Sequence, residues 1–201
     1  MIVKKLEELK GPDLEGLLSR DIGIQEVLPE VNEILMEVGS KGDKALFSFT
    51  EKFEKAKLEF LSVGQEEIVS AYDAVDQNLL DALEKAAENI TAFHYAQKER
   101  DLWLNEISPG VAVGQKIAPL DSVGCYVPGG LASYPSTALM NIIPAKVAGV
   151  PRVVVCTPPK SDGSIMPLTL VAADLAGADE IYKLGGAQAI AAMALGTDTI
   201  A

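Results

Sequence analysis

The sequence contains few of the residues that usually build metal sites or activate a nucleophile. Its only histidine is His94, and its two cysteines, Cys125 and Cys156, are far apart in an apolar region. A zinc site needs at least three protein ligands, so His94, on a predicted helix without clustered carboxylates, does not indicate a metal site. Neither cysteine has a histidine base nearby or forms a redox motif. The sequence leaves a disulfide open, but reduced cytoplasmic thiols are favoured.

Long apolar runs and an excess of positive charge are also lacking. No segment reaches the roughly 18 apolar residues that a membrane helix needs, and residues 1–10 are amphipathic, unlike a secretory signal. The chain carries 29 acidic against 17 basic residues, for a net charge of −12. Phosphate backbones and anionic lipid surfaces repel such a chain. We therefore expect a cytoplasmic protein with no nucleic-acid or membrane partner.

Helical periodicity dominates residues 1–100, which we predict to be an N-terminal helical region. Ser62 and Gln65 are spaced as in a capping box, and a long helix is predicted over residues 76–100. One apolar stripe contains Val27, Val31, Ile34, Leu35 and Val38, and a second contains Ala45, Leu46, Phe49 and Phe53. The apolar face of the long helix contains Leu79, Leu80, Leu83, Ala86, Ala87, Ile90 and Phe93.

Strands alternate with helices in the second predicted region, residues 101–201. Gly-Pro punctuation over residues 108–120 indicates short strands or a hairpin, and Pro144 predicts a kink or an early break in its helix. Residues 147–153 are echoed one strand–helix unit later by residues 175–181. This alternation predicts a parallel sheet with right-handed crossovers. The predicted strands are residues 122–127, 152–156 and 180–184, and the predicted helices are residues 135–149, 165–176 and 187–195.

Ligands of open parallel sheets bind at the carboxyl ends of the strands. Three strand exits are readable, at residues 126–130, 157–160 and 185–188, and two of them carry paired glycines. We expect these exits to share one rim, with Gln188 facing a ligand there. The dinucleotide fingerprint G-x-G-x-x-G and the phosphate loop are both absent, so plain turn chemistry remains an alternative explanation of the glycines.

Several segments closely match the signature of a known family, the histidinol dehydrogenases, which the chain resembles over essentially all its residues. The helical first part, with Gly42-Asp43-Lys44-Ala45-Leu46, also fits the family's opening. The matching segments are Gly124-Cys125-Tyr126-Val127-Pro128-Gly129-Gly130, Tyr134-Pro135-Ser136-Thr137, Met140-Asn141, Pro144-Ala145-Lys146-Val147-Ala148-Gly149-Val150, Gly185-Gly186-Ala187-Gln188-Ala189-Ile190-Ala191-Ala192 and Gly196-Thr197.

The resemblance implies an α/β fold with an incomplete Rossmann-like parallel sheet, related to aldehyde dehydrogenases. It implies a zinc-dependent homodimer that oxidises histidinol through the aldehyde to histidine, reducing two NAD. Family members contact NAD through a tyrosine and a glutamine that correspond to Tyr126 and Gln188. These two are therefore the predicted cofactor-binding residues.

The resemblance assigns no catalytic or zinc-binding residue to this sequence. The family's Gly-Pro-Gly-Asn segment, its zinc ligands and its glutamate–histidine acid–base pair belong to a second half beyond residue 201. We therefore expect a fragment that is inactive by itself. Two alternatives remain, namely a non-catalytic folding or assembly module and an aldehyde-dehydrogenase-like enzyme with a cysteine nucleophile.

Overall fold

The computed structural model describes residues 10–11, 23–129 and 132–200. The predicted amphipathic start, apart from Lys10, and Gly130 of the first glycine pair lie outside these residues. The chain divides into two compact units, residues 1–33 and residues 34–201. No described helix is both long and apolar enough to cross a membrane.

Among the described residues, the chain before Leu102 is mainly helical. Asp76 caps the fourth helix, because its carboxylate accepts a hydrogen bond of 2.9 Å from the Asn78 amide. This helix ends at Gln97, slightly before the predicted end. Within residues 23–101, the helices are α1 (Ile24–Lys41), α2 (Asp43–Glu54), α3 (Gln65–Asp73) and α4 (Gln77–Gln97).

The predicted capping box at Ser62 and Gln65 is wrong. Helix α3 starts at Gln65, and the Glu67 carboxylate accepts a hydrogen bond of 3.2 Å from the Gly64 amide. Ser62 instead forms an antiparallel bridge with Tyr182. The reason is a tertiary contact. The strand at residues 180–183 lies at the edge of its sheet, and residues 61–63 form hydrogen bonds with its otherwise unpaired backbone groups.

The sheet is parallel, which confirms the central prediction for the second half of the chain. Strands β3 (Ser122–Tyr126), β4 (Arg152–Thr157) and β5 (Glu180–Lys183) pair in the order β3-β4-β5. A separate antiparallel hairpin, β1 (Leu102–Ser108) with β2 (Val111–Lys116), precedes them. Of the two predicted possibilities for residues 108–120 the hairpin is right, although its first strand lies before that segment.

Helices cover both faces of the parallel sheet. The connecting helices are α5 (Pro135–Ala148) and α6 (Pro167–Leu175), and α7 (Gly186–Leu195) follows β5. Val153 and Val155 point into a core shared with α3, α4, α5 and α6. Val154 and Cys156 point into a second core shared with α1, α2 and α7. This alternation follows from the two-residue period of a strand and makes both faces apolar.

The internal sequence repeat has a structural counterpart at two glycines. Gly149 and Gly177 end their helices with left-handed φ angles of 92° and 86°. In both cases the next amide reaches back to a helical carbonyl at 3.0 Å, from Val150 to Ala145 and from Ala178 to Ala173. A left-handed helix end favours glycine, which lacks a Cβ.

The predicted early break of the helix at Pro144 is wrong, since α5 runs through this residue to Ala148. Proline removes the hydrogen bond to the carbonyl four residues earlier, which belongs to Met140. Met140 is exposed, so water reaches that side of the helix. The buried neighbours Ile143 and Val147 hold the helix against the sheet.

The apolar face of α4 is narrower than predicted. Leu79 and Phe93 are 49% and 60% exposed, so their assignment to the packed face is wrong. Only a narrow stripe of α4 side chains reaches the core, and the rest of the helix faces solvent. The stripe that packs against the core contains Leu80, Leu83, Ala86, Ala87 and Ile90.

Candidate cofactor site

The three predicted strand exits lie along one edge of the sheet. Tyr126 at the end of β3 is in register with Cys156 of β4, which is in register with Tyr182 of β5. Thr157 and Lys183 likewise pair as the last residues of β4 and β5. Parallel pairing therefore places the loops after all three strands at a common rim.

A direct hydrogen bond joins the first and third exits. The Gly186 amide, at the start of α7, donates to the Tyr126 hydroxyl oxygen at 3.1 Å. Tyr126 is half-buried and Gly186 is exposed, so the bond lies close to solvent. Because the hydroxyl accepts here, its own proton is left to donate to another group.

Asn141 of α5 also reaches this edge, where its side-chain amide donates to the Tyr126 carbonyl at 3.5 Å. The sequence alone gives Asn141 no role, although this residue lies in a segment that matches the family signature. Its spacing from Tyr126 gives no sign of the contact, because the chain passes through the loop after β3 before returning along α5.

Two of the glycines at this edge allow close packing of the loops. A Cβ on Gly129 would lie 2.9 Å from Pro158 Cγ, and one on Gly185 would lie 2.7 Å from Pro158 Cβ. Both distances are too short for real contacts, so the loop after β4 packs tightly between the other two exits. Neither ligand binding nor simple turn formation is needed to explain these glycines.

Gln188 lies in the first turn of α7 with its side chain fully buried. Its Nε2 donates to Glu54 Oε1 at 3.4 Å, while its Oε1 has no partner among the described residues. Gln188 thus stands at the predicted edge, but its side chain is enclosed rather than exposed to a ligand. Its contact with NAD, like that of Tyr126, stays a prediction.

Glu54, at the end of α2, is a neighbour of this edge that could not be predicted from the sequence. Burial raises the pKa of the Glu54 carboxyl, and the hydrogen bond from Gln188 opposes that rise only in part. A Cβ on Gly185 would lie 2.2 Å from Glu54 Oε1, so the carboxylate is packed against the glycine backbone. A single glutamate ending an amphipathic helix offers no sequence signal for such a role.

These residues fit a dinucleotide site in two respects. The Tyr126 hydroxyl has a proton to donate near solvent, and the buried Gln188 Oε1 is an unpaired acceptor. Buried polar groups are normally hydrogen-bonded, so an unpaired acceptor at a strand exit indicates a functional site. Because the Gly186 amide already donates to Tyr126, we do not expect it to hold a phosphate.

The two cysteines lie in the sheet and are unsuited to nucleophilic chemistry. Both are buried and free of disulfide bonds. Burial raises the pKa of the Cys125 thiol, and it raises that of Cys156 to about 12. A cysteine nucleophile requires a lowered pKa and access to substrate. These properties disfavour the aldehyde-dehydrogenase-like alternative.

His94 lies at the opposite edge of the sheet from the strand exits. It lines a cavity of about 360 Å³ together with Lys98, Asp101, Pro119 and Val147. Its ring packs edge-on against Phe93, with centroids 5.3 Å apart. Among residues 10–11, 23–129 and 132–200, no group of three or more His, Cys, Asp or Glu side chains is placed to hold a metal ion.

Comparisons with known proteins give the family. A family model described as histidinol dehydrogenase matches residues 18–201. Histidinol dehydrogenase from Methanosarcina barkeri is 51% identical over 200 residues, covering 100% of this chain and 46% of the relative. The protein of the same name from Methanocaldococcus jannaschii is 47% identical, covering 100% of this chain and 47% of the relative.

A solved structure agrees with the sequence relatives. The crystal structure of histidinol dehydrogenase from Elizabethkingia anophelis has a TM-score of 0.84 and 40% identity, covering 87% of this chain and 40% of that one. This chain spans about half the length of the curated relatives it matches and corresponds to their N-terminal part. On sequence and structure together, the chain belongs to the histidinol dehydrogenase family.

Proposed function

We propose that this chain supplies the NAD-binding edge of an enzyme that oxidises L-histidinol to L-histidine. The observation that carries the proposal is the hydrogen bond from Gly186 to Tyr126. It joins the two sequence segments to which the family resemblance assigns NAD contacts. Membership of the family supports histidinol as the substrate, and the hydrogen bond between the two strand exits supports a cofactor site at this edge.

The proposed reaction has two oxidation steps. NAD, when bound, would supply the hydride acceptor for both steps, the oxidation of the alcohol and that of the hydrated aldehyde, so that histidinol, water and two NAD⁺ give histidine as its carboxylate, two NADH and three protons. The Tyr126 hydroxyl, which accepts a hydrogen bond from the Gly186 amide, would donate a hydrogen bond to the cofactor. The unpaired Oε1 of Gln188 is the acceptor that this side chain would offer to the cofactor.

Several finer features belong to the same proposal. They are a Rossmann-like sheet of the aldehyde-dehydrogenase type, a homodimeric cytoplasmic enzyme, and regions that divide at residues 100 and 101. The family's use of zinc is proposed through ligands outside this sequence, so no described side chain is given a role in holding it. Family resemblance supports the sheet type, the homodimer, the cytoplasmic location and zinc, whereas the division rests on the change from helical periodicity to alternating strands and helices.

The test uses a polypeptide that continues this sequence to the full family length, supplied with Zn²⁺. We expect histidinol-dependent NADH formation, measured by absorbance, at two NADH for each histidinol consumed. A Tyr126→Phe variant should lose part of the activity through a higher KM for NAD. No NADH from histidinol in a folded, zinc-loaded protein would contradict the proposal and favour a non-catalytic assembly module.

A further inference from the structure

Glu54 occupies a position that local helix preferences disfavour. It is the last residue of α2, and a carboxylate at a helix C-terminus opposes the helix dipole. The next residue, Lys55, has a left-handed φ of 60° and is the one non-glycine residue with positive φ in the described parts of the chain. Such local conflicts concentrate at functional sites, where another interaction compensates for them.

The interaction that compensates for this conflict is the contact of Glu54 with the start of α7. Glu54 Oε1 accepts a hydrogen bond from Gln188 Nε2 at 3.4 Å and packs against Gly185. A carboxylate near a helix N-terminus is favoured by the helix dipole. Glu54 therefore sits at an unfavourable end of its own helix and at a favourable end of α7.

Three buried polar atoms in these elements have no partner among the described residues. They are Thr50 Oγ1, Glu54 Oε2 and Gln188 Oε1. Thr50 precedes Glu54 by one turn of α2, so both lie on the same face of that helix. A purely structural core would use apolar side chains here, because unpaired buried acceptors are costly.

We propose that Glu54 is a positioning residue for the cofactor edge: its carboxylate fixes the Gln188 amide and the Gly185–Gly186 bend, and through the Gly186 amide it orients the Tyr126 hydroxyl. The part of this inference that concerns the cofactor rests on the proposed function. Glu54 need not touch NAD, because it acts through Gln188 and Gly186. Substitution of Glu54 should therefore change the affinity for NAD more than it changes kcat, the turnover rate of the enzyme with NAD bound.

The deciding experiment is NMR of the ¹⁵N-labelled 201-residue chain without cofactor. In Glu54→Ala, we expect the Gly186 backbone amide and the Gln188 side-chain amide resonances to move. Exchange of the Gln188 side-chain protons with solvent should accelerate by about fivefold, the effect of losing one modest hydrogen bond. Glu54→Gln keeps an acceptor, so it should retain the Gly186 resonance and remain interpretable if the alanine variant folds poorly.

Glu51→Ala is the matched control, because Glu51 is exposed on the same helix. It should move neither resonance. Unchanged Gly186 and Gln188 resonances in Glu54→Ala, or equal changes in Glu51→Ala, would overturn the inference. Since these resonances are read without NAD, they decide the role of Glu54 even if the proposed function fails.

A second readout uses the polypeptide of full family length. Glu54→Ala should raise the KM for NAD by about fivefold with a change in kcat below about twofold, as expected when one hydrogen bond that orients a binding group is lost. Glu54→Gln should restore most of the KM. A fall in kcat at unchanged KM would contradict a positioning role in cofactor binding.

Discussion

The Gly186 amide donates a hydrogen bond of 3.1 Å to the Tyr126 hydroxyl, joining the exit of β3 to the start of α7. These residues come from two distant segments of the sequence. Their contact requires the parallel register of β3, β4 and β5, which brings both segments to one edge. The relationship turns two separate motifs into one candidate site.

Tyr126→Phe removes the acceptor of the Gly186 amide without removing the ring. We expect a loss of about 1 kcal/mol in the free energy of unfolding, the usual net value of one hydrogen bond. Urea denaturation followed by circular dichroism measures this loss. Tyr95→Phe, at an exposed ring on α4, is the control and should change stability by less than about 0.5 kcal/mol. Equal effects of the two substitutions would argue against a stabilising role for the hydrogen bond.

Gly185→Ala should disrupt the packing of the strand exits. The added Cβ would lie 2.2 Å from Glu54 Oε1 and 2.7 Å from Pro158 Cβ. We expect destabilisation by about 1–3 kcal/mol, typical of overpacking, measured by thermal and urea denaturation.

Gly39→Ala is the matched control for this substitution. A Cβ on Gly39 makes an ordinary contact of 3.6 Å with Leu195 Cδ1, and the residue lies within α1. Alanine is favoured over glycine in a helix by about 1 kcal/mol, so this variant should be neutral or more stable. A Gly185→Ala protein as stable as the wild type would show that the three exits are not closely packed.

Glu54→Gln should alter how stability depends on pH. Burial raises the pKa of Glu54 above its ordinary value of 4.5 in the folded chain, so folding favours the protonated carboxyl. The stability that this group contributes is complete below pH 4.5 and is lost as pH rises through the raised folded value. The Gln variant should therefore gain stability relative to wild type as pH rises above 4.5.

Urea denaturation at several pH values measures this difference. Glu51→Gln, which removes the same charge from an exposed position on α2, is the control for the loss of charge alone. If Glu54→Gln instead became less stable relative to wild type with rising pH, ionised Glu54 would be a net stabilising group.

Arg152 and Glu180 occupy equivalent positions in the two repeated segments and pair with each other. Arg152 Nε lies 2.7 Å from Glu180 Oε1, and its Nη2 lies 2.9 Å from Oε2. A double-mutant cycle with Arg152→Met and Glu180→Gln should give a coupling energy of about 1 kcal/mol, near the upper end for partly exposed pairs. The exposed Lys85–Glu88 pair should give a coupling close to zero.

The coupling between Arg152 and Glu180 should also depend on pH. The hydrogen bond from Arg152 lowers the pKa of Glu180, against the effect of burial. The stability from the pair is therefore present above the ordinary value of 4.5 and is lost as pH falls through the lowered folded value. A coupling that is absent at pH 7, or that strengthens in acid, would contradict this account.

The order of strands and helices in the second half could be predicted from sequence because its signals are local. Gly149 and Gly177 mark helix ends, and the β-branched run at residues 152–156 marks a buried strand. Together they predict a parallel sheet, which the structure confirms. The carboxyl edge of that sheet then follows from general topology, including the position of Tyr126.

Features that depend on tertiary contacts could not be predicted in the same way. Ser62 resembles a helix cap, but its backbone pairs with Tyr182 on the edge strand β5 instead. Gln188 is conspicuous on an alanine-rich helix, yet its enclosure depends on Glu54, more than a hundred residues earlier in the chain. No local pattern connects Glu54 to the start of α7.

The most direct test of the central claim is a crystal structure, with NAD bound, of the polypeptide that continues this sequence to full family length. We predict that NAD lies at the carboxyl edge of β3, β4 and β5, with the Tyr126 hydroxyl within about 3 Å of a cofactor oxygen, a normal hydrogen-bond distance. NAD bound elsewhere, for example in the cavity lined by His94, with Tyr126 and Gln188 uncontacted, would contradict the account.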